Sequence, residues 1–202
     1  LENELNIAKK IQESFLPKSI PRIEGLEIEV AMFTAHQVGG DLYDFRTFSD
    51  GTLGVMIGDV SGKGVPASLF MAMVTSEFKF FAGPGVAPET VLSGLNSKRA
   101  NESSSNLFVT AFYLIFDMKE SMVKFSSAGH LPVIRLNASG EADLLDVSEG
   151  TPLGLIDSAY GGKELQFNKG DTFILYTDGV TEAMNSRREL YGGERLIRAA
   201  KA

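Results

Sequence analysis

Three aspartates stand at the glycine-rich ends of three separate apolar runs: Asp41 in "VGGDLYDF", Asp59 in "IGDVSGKG" and Asp178 in "LYTDGVTEAMN". A single Asp-Gly pair ordinarily marks a turn. Three of them at strand ends raise an electrostatic question, because carboxylates ~4 Å apart at an effective dielectric near 20 repel by ~4 kcal/mol per pair. If the strand ends converge, protons or a cation must neutralise that charge. The chain has no cysteine and only 2 histidines, so oxygen ligation favours a hard ion, Mg²⁺ or Mn²⁺, over zinc. The adjacent glycines let backbone and ion approach closely and leave a carbonyl free as a ligand.

The same glycines and Lys63 could suggest a phosphate-cradling loop. That loop needs four residues between its glycines and then Lys followed by Ser or Thr. Here Gly58 and Gly62 enclose three, and Lys63 is followed by Gly64. A nucleotide-binding enzyme is disfavoured accordingly, and Asp59 would repel a phosphate unless a cation stood between them.

The elements that must carry these residues can be placed from periodicity. Residues 2–15 carry Leu5, Ala8 and Phe15 on one helical stripe with Ile7 and Ile11 beside it, and Pro17 and Pro21 close the segment. The spacing through Leu1, Leu5, Ala8, Gln12 and Phe15 is heptad-like but too short for a coiled coil. Strands are expected at 26–34, in "DLYDFRTF" and in "TLGVMIGDV", giving a three-strand antiparallel start. Residues 65–81, apolar almost all round with Pro66 at the start, predict a helix buried against a sheet, and a second helix is expected from Pro88 to about Ala100. Further strands are expected at 107–117, 122–129 and 131–136. "KELQF" (163–167) and "TFILYTDG" (172–179), joined by "NKGD", look like a hairpin. The sum is an α+β layered domain of about eight mostly antiparallel strands.

The bulk numbers narrow the function class. A chain of 202 residues suits one domain with a sizeable core. Its 19 Lys+Arg against 26 Asp+Glu, net −7 without a basic run, give no electrostatic support for nucleic acid or an anionic membrane surface. No apolar run reaches a membrane span and no signal peptide is visible, so a cytoplasmic location is expected.

Six ordered stretches, "VGGDLYDF", "IGDVSGKGVPASLFMA", "NLFVTAFYLIFD", "SSAGHLPVIRL", "TPLGL" and "LYTDGVTEAMN", resemble the SpoIIE/RsbU-like bacterial branch of the metal-dependent (PPM, type 2C) protein phosphatases, over about Ile7 to Arg198. The resemblance implies a four-layer α-β-β-α sandwich of two mainly antiparallel sheets with a two-metal Mn²⁺/Mg²⁺ site at one end. It also implies hydrolysis of phosphoserine or phosphothreonine on a protein, typically an anti-anti-sigma factor, under an upstream sensor or receiver domain. Asp59 matches the aspartate that bridges both ions, the Val60 carbonyl and Asp41 match ligands of the second ion, and Asp178 matches a ligand of the first. The catalytic set is thus Asp41, Asp59 and Asp178, acting through metal-activated water.

The same resemblance divides the chain into an N-terminal amphipathic linker or regulatory helix at 1–16, with a homodimer as one use for it, and a phosphatase domain at 22–202. His36 stands where relatives place a phosphate-binding arginine, which makes it a candidate phosphate contact. Ser61 stands where eukaryotic relatives have a histidine proposed as general acid. For His130 a turn-ordering hydrogen bond is expected, for Asp171 a turn, and for Asp44 and Glu182 a place beside the ligands. Relatives usually continue to a final strand with an Asp-Asp-x-Thr-like motif, and the acids after Asp178 (Glu182, Glu189 and Glu194) lie in no such motif. A C-terminally truncated domain with one weakened ion site is therefore expected, and a pseudophosphatase that binds a phosphoprotein is the rival from another class.

Overall fold

A computed structural model describes residues 2–34, 37–102, 107–147 and 150–201. Helix α1 (Glu2–Phe15) leads through an extended segment into strands β1 (Leu42–Thr47) and β2 (Leu53–Val60), then helices α2 (Val65–Phe81) and α3 (Pro88–Glu102). Strands β3 (Val109–Asp117), β4 (Met122–Ala128), β5 (Val133–Leu136), β6 (Ala142–Leu145), β7 (Gly162–Gln166) and β8 (Thr172–Ile174) follow, then helices α4 (Asp178–Thr181) and α5 (Gly193–Ala200). Two sheets result among the described residues, five-stranded β1-β2-β3-β4-β7 and three-stranded β6-β5-β8, with every strand pair antiparallel.

The period-2 alternation of β2 and β3 divides the core in two. One face of the larger sheet presents Leu42, Met56, Val60, Val109, Ala111 and Tyr113 to the buried sides of α2 and α3. There Phe78 meets Tyr113 edge to face, with ring centroids 4.9 Å apart. The other face presents Leu53, Phe112, Leu114 and Phe116 to Val133 of β5, Leu145 of β6 and Phe173 of β8, so the two sheets pack on each other. α2 forms as its composition dictates: Pro66 lies in the first turn, where its missing N–H costs nothing, and Ala67, Phe70, Met71, Val74 and Phe78 are buried. α4 and α5 bury no residue.

Three sequence expectations are corrected. Residues 26–34 contain no strand; Leu26 makes one isolated bridge with Ile23, and Phe33 is 92% exposed. Alternation reports a face, but a strand also needs a neighbour for its N–H and C=O groups, and beyond the Leu26 bridge this segment pairs with no strand among the described residues. The three-strand start is therefore the β1–β2 pair alone. The "NKGD" segment does turn, with Asp171 N–H donating to the Asn168 carbonyl. It nonetheless joins no hairpin, since β7 pairs with β4 and β8 with β5, in different sheets. β6, whose "ADLL" is four residues long and shows no apolar–polar alternation, carries no strand signal in the sequence.

Candidate functional site

Strand register decides which carboxylates meet. Leu42 of β1 is the partner of Gly58 of β2, so one step further along the same register Asp41 comes opposite Asp59, while Thr110 of β3 is the partner of Asp59 on its other side. Alternation puts Asp41, Asp59 and Thr110 on the face carrying Phe45, Ile57 and Phe112, at the end of the inter-sheet core. The Asp41 and Asp59 carboxyl groups lie near enough to act on each other, and the Thr177 side chain lies beside Asp41. Thr177 caps α4, so Asp178 enters at the same place from a third segment.

The electrostatics match that convergence. Burial first, then the charges of Asp41 and Asp178, push Asp59 up to about 7, with Glu182 adding to the effect. Burial also raises Asp41, with Thr177 opposing the shift and Asp178 reinforcing it. A carboxyl pair of this kind holds a proton that a divalent cation can displace. Gly40 shows that the backbone makes room for the carboxyl: a Cβ there would lie 2.7 Å from the Val60 carbonyl oxygen and 3.3 Å from Asp59 Oδ1. The donors gathered here, from Asp41, Asp59 and the Val60 carbonyl, are all oxygens and fit a hard divalent ion. Among the described residues no three acidic or histidine side chains lie close enough to surround one ion together. Asp178 is thus coupled to the Asp41–Asp59 pair through its field, from an exposed position.

His130 ties the strands to the Asp178 segment. Its Nε2 is 3.1 Å from the Tyr176 carbonyl oxygen and its Nδ1 is 2.8 Å from Thr110 Oγ1. A carbonyl only accepts, so Nε2 carries the proton and Thr110 donates to Nδ1. Burial pushes the ring down to about 4 and keeps it neutral. Its backbone N–H also bonds Ser127 Oγ in the turn, so the side chain does more than order that turn.

The other residues singled out in the sequence fall elsewhere. Asp44, expected beside the ligands, alternates onto the opposite face; it is 3% exposed and lies 3.5 Å from Lys79 Nζ of α2. Asp171 accepts from Arg135 at 2.7 Å in its turn. Ser61 Oγ accepts the Phe108 N–H at 2.9 Å, beside the Ser61 N–H bond to the Phe108 carbonyl. His36 lies outside the described residues. Thr110, Thr177 and Gln12 were missed as site residues. Strand alternation could have flagged Thr110, whereas nothing in the sequence signals the other two.

The chain is similar to known proteins over most of its length. The family profile described as Stage II sporulation protein E (SpoIIE) matches residues 49–202. The chain is 31% identical over 183 residues to Phosphoserine phosphatase RsbU of Bacillus subtilis, covering 90% of this chain and 54% of that protein. It is 30% identical over 227 residues to Protein IcfG of Synechocystis, covering 98% of this chain and 36% of that protein. The chain therefore spans about half or less of the length of these curated relatives. Among solved structures, the SiaA PP2C domain of Pseudomonas aeruginosa superposes with a TM-score of 0.79 at 21% identity, over 99% of this chain and 81% of that one. The PP2C phosphatase domain of SpoIIE from Bacillus subtilis gives 0.68 at 19% identity, over 82% and 47%. RsbX, solved in complex with magnesium, gives 0.60 at 20% identity, over 81% and 79%. At these identities the structural likenesses show the fold.

Proposed function

The chain belongs to the SpoIIE family, and from that premise we propose that it is the phosphatase unit of a bacterial signalling protein, hydrolysing phosphoserine or phosphothreonine on a protein substrate of the anti-anti-sigma kind. One observation carries the reading: strand register sets Asp41 opposite Asp59 at one end of the inter-sheet core, where burial first and then the charges of Asp41 and Asp178 push the Asp59 carboxyl up to about 7. That much unfavourable charge, held on a buried strand register and lined only by oxygen donors, makes sense as a site for divalent cations. The name of the RsbU relative, a phosphoserine phosphatase, supports phosphoserine as the group hydrolysed.

Two divalent ions, Mn²⁺ or Mg²⁺, are the proposed cofactors. When bound, such ions lower the pKa of a water from ~15.7 to ~7 for one ion, and offset charge on phosphoryl oxygens. The chain's own contribution is placement. Asp59, near the end of β2, would be shared by the two ions, with Asp41 and the Val60 carbonyl holding one and Asp178 the other. Thr177, beside Asp41, favours the charged form of that carboxyl against burial. Gly62 and Gly64, at φ 92 and 75, turn the chain from β2 into α2 without setting a side chain over the site.

Incubating the chain with a phosphoserine protein or an aryl phosphate, with Mn²⁺ or with chelator, tests the proposal. Phosphate release that needs the metal is expected. Phosphoprotein binding with no release in either condition would favour the second reading, a pseudophosphatase. The exposure of Asp178 on a helix that buries nothing is the observation on that side.

A further inference from the structure

α1 reaches the ligand loop through one side chain. Gln12 is 6% exposed on an otherwise exposed stretch of helix, and its amide meets the Gly39 backbone at both ends: Nε2 donates to the Gly39 carbonyl at 2.6 Å and the Gly39 N–H donates to Oε1 at 3.2 Å. Only one orientation of the amide satisfies both groups, so the contact is a two-point clamp and not a single contact. Gly39 lies two residues before Asp41. Its neighbour Gly40 accepts the Val60 N–H at 3.3 Å and is packed against the Val60 carbonyl and Asp59. A second tie holds the same helix in place: Lys79 Nζ donates to the Phe15 carbonyl at 3.2 Å while lying 3.5 Å from the buried Asp44 of β1. Leu16, just past the helix, packs on the core under α2.

We propose that Gln12 is a positioning residue for the candidate metal site: its clamp on Gly39 holds the Gly39–Asp41 segment in register with Asp59 and Val60, so that α1 is part of the ligand frame and not a linker to it. The inference rests on the metal-site reading above. A segment leading into an edge strand has a strand neighbour on one side only, and here the Gln12 amide pairs with the Gly39 N–H and C=O.

The test compares the full chain with Gln12→Met, which keeps side-chain length and removes both hydrogen bonds, and with Glu13→Ala as an exposed control on the same helix. Amide exchange of the metal-free chain should show Gly39 and Val60 losing protection at least ~10-fold in Gln12→Met, while α3 amides keep theirs. Calorimetric Mn²⁺ titration should show an affinity ~10-fold weaker, with an unfolding midpoint close to that of the wild type. Glu13→Ala should change neither. Unchanged protection at Gly39 and Val60 overturns the proposal, as does Mn²⁺ affinity within twofold of wild type. If the wild type binds no Mn²⁺, the metal-site reading fails by itself and the exchange data still decide whether Gln12 holds the loop.

Discussion

The two halves of the candidate site are built to different standards of rigidity. Asp41 and Asp59 sit at the ends of β1 and β2, strands held in a continuous register of six and eight partners and backed by the α2–α3 core. Asp178 begins a four-residue helix after a three-residue edge strand, and from Asp178 to Ala200 neither helix buries a residue. The core thus positions two carboxylates before any ligand arrives, whereas the third is tied to the strands through the His130–Tyr176 hydrogen bond two residues before it. Opening of the site is expected from the Asp178 side, since segments with few buried contacts have the lowest local stability.

The sharpest way to break the comparison is to remove one carboxylate from each half. Asp59→Asn should lower metal-supported turnover by ~10³-fold or more, because every other acid in the site acts on Asp59. It should also raise the stability of the metal-free chain at pH 8. The Asp59 carboxyl has its pKa raised in the fold, so its charge opposes folding as pH rises through about 7. After screening by solvent, relief of that charge is worth ~1 kcal/mol, or ~3 °C in the unfolding midpoint. Asp178→Asn should cost less, ~10²-fold in turnover, and weaken one ion more than the other. Equal losses of turnover and of both ions in the two variants would remove the asymmetry.

Packing offers the next contrast. Phe78 is fully buried against Tyr113, so Phe78→Ala should destabilise the fold by ~4 kcal/mol and lower the midpoint by ~10 °C. Leu196→Ala in α5 should change stability by only ~0.5 kcal/mol, as α5 buries nothing. Thermal unfolding of the two variants checks both values, and a comparable loss in Leu196→Ala would show α5 to be part of the core.

What the sequence made legible follows the same division. α2 was readable because its apolar residues and Pro66 are local signals, and the three aspartates were readable because glycine marks each of them. The expected strand at 26–34 failed because alternation cannot report whether a partner strand exists, and β6 was missed because four half-exposed residues carry little pattern. Within the site, Thr110 depends on register across two strands, Gln12 on a contact spanning 27 residues, and Thr177 on where β8 delivers the chain. Alternation alone could place Thr110 on the site's face but not opposite Asp59, the other two have no local signature, and His36 lies outside the described residues.

His130 joins the rigid half to the mobile one, and its titration offers a way to separate them. Burial holds the ring neutral down to about 4, while in the unfolded chain it protonates near 6.5. The folded pKa is therefore the lower one, so the unfolded state gains a proton that the folded state refuses. Stability is fully present above pH ~6.5 and is lost as pH falls toward ~4. The raised carboxyls of Asp41 and Asp59 act in the opposite sense over part of that range, so the wild-type curve alone mixes the effects. His130→Gln keeps a donor for the Tyr176 carbonyl and removes the titration, which makes the difference between the two curves the histidine's own. That difference should grow by ~2 kcal/mol between pH 6.5 and 4.5, measured by denaturant unfolding without metal. Parallel curves over that interval would mean that Nδ1 is already protonated in the fold, and Thr110 would then be accepting from the ring instead of donating to it.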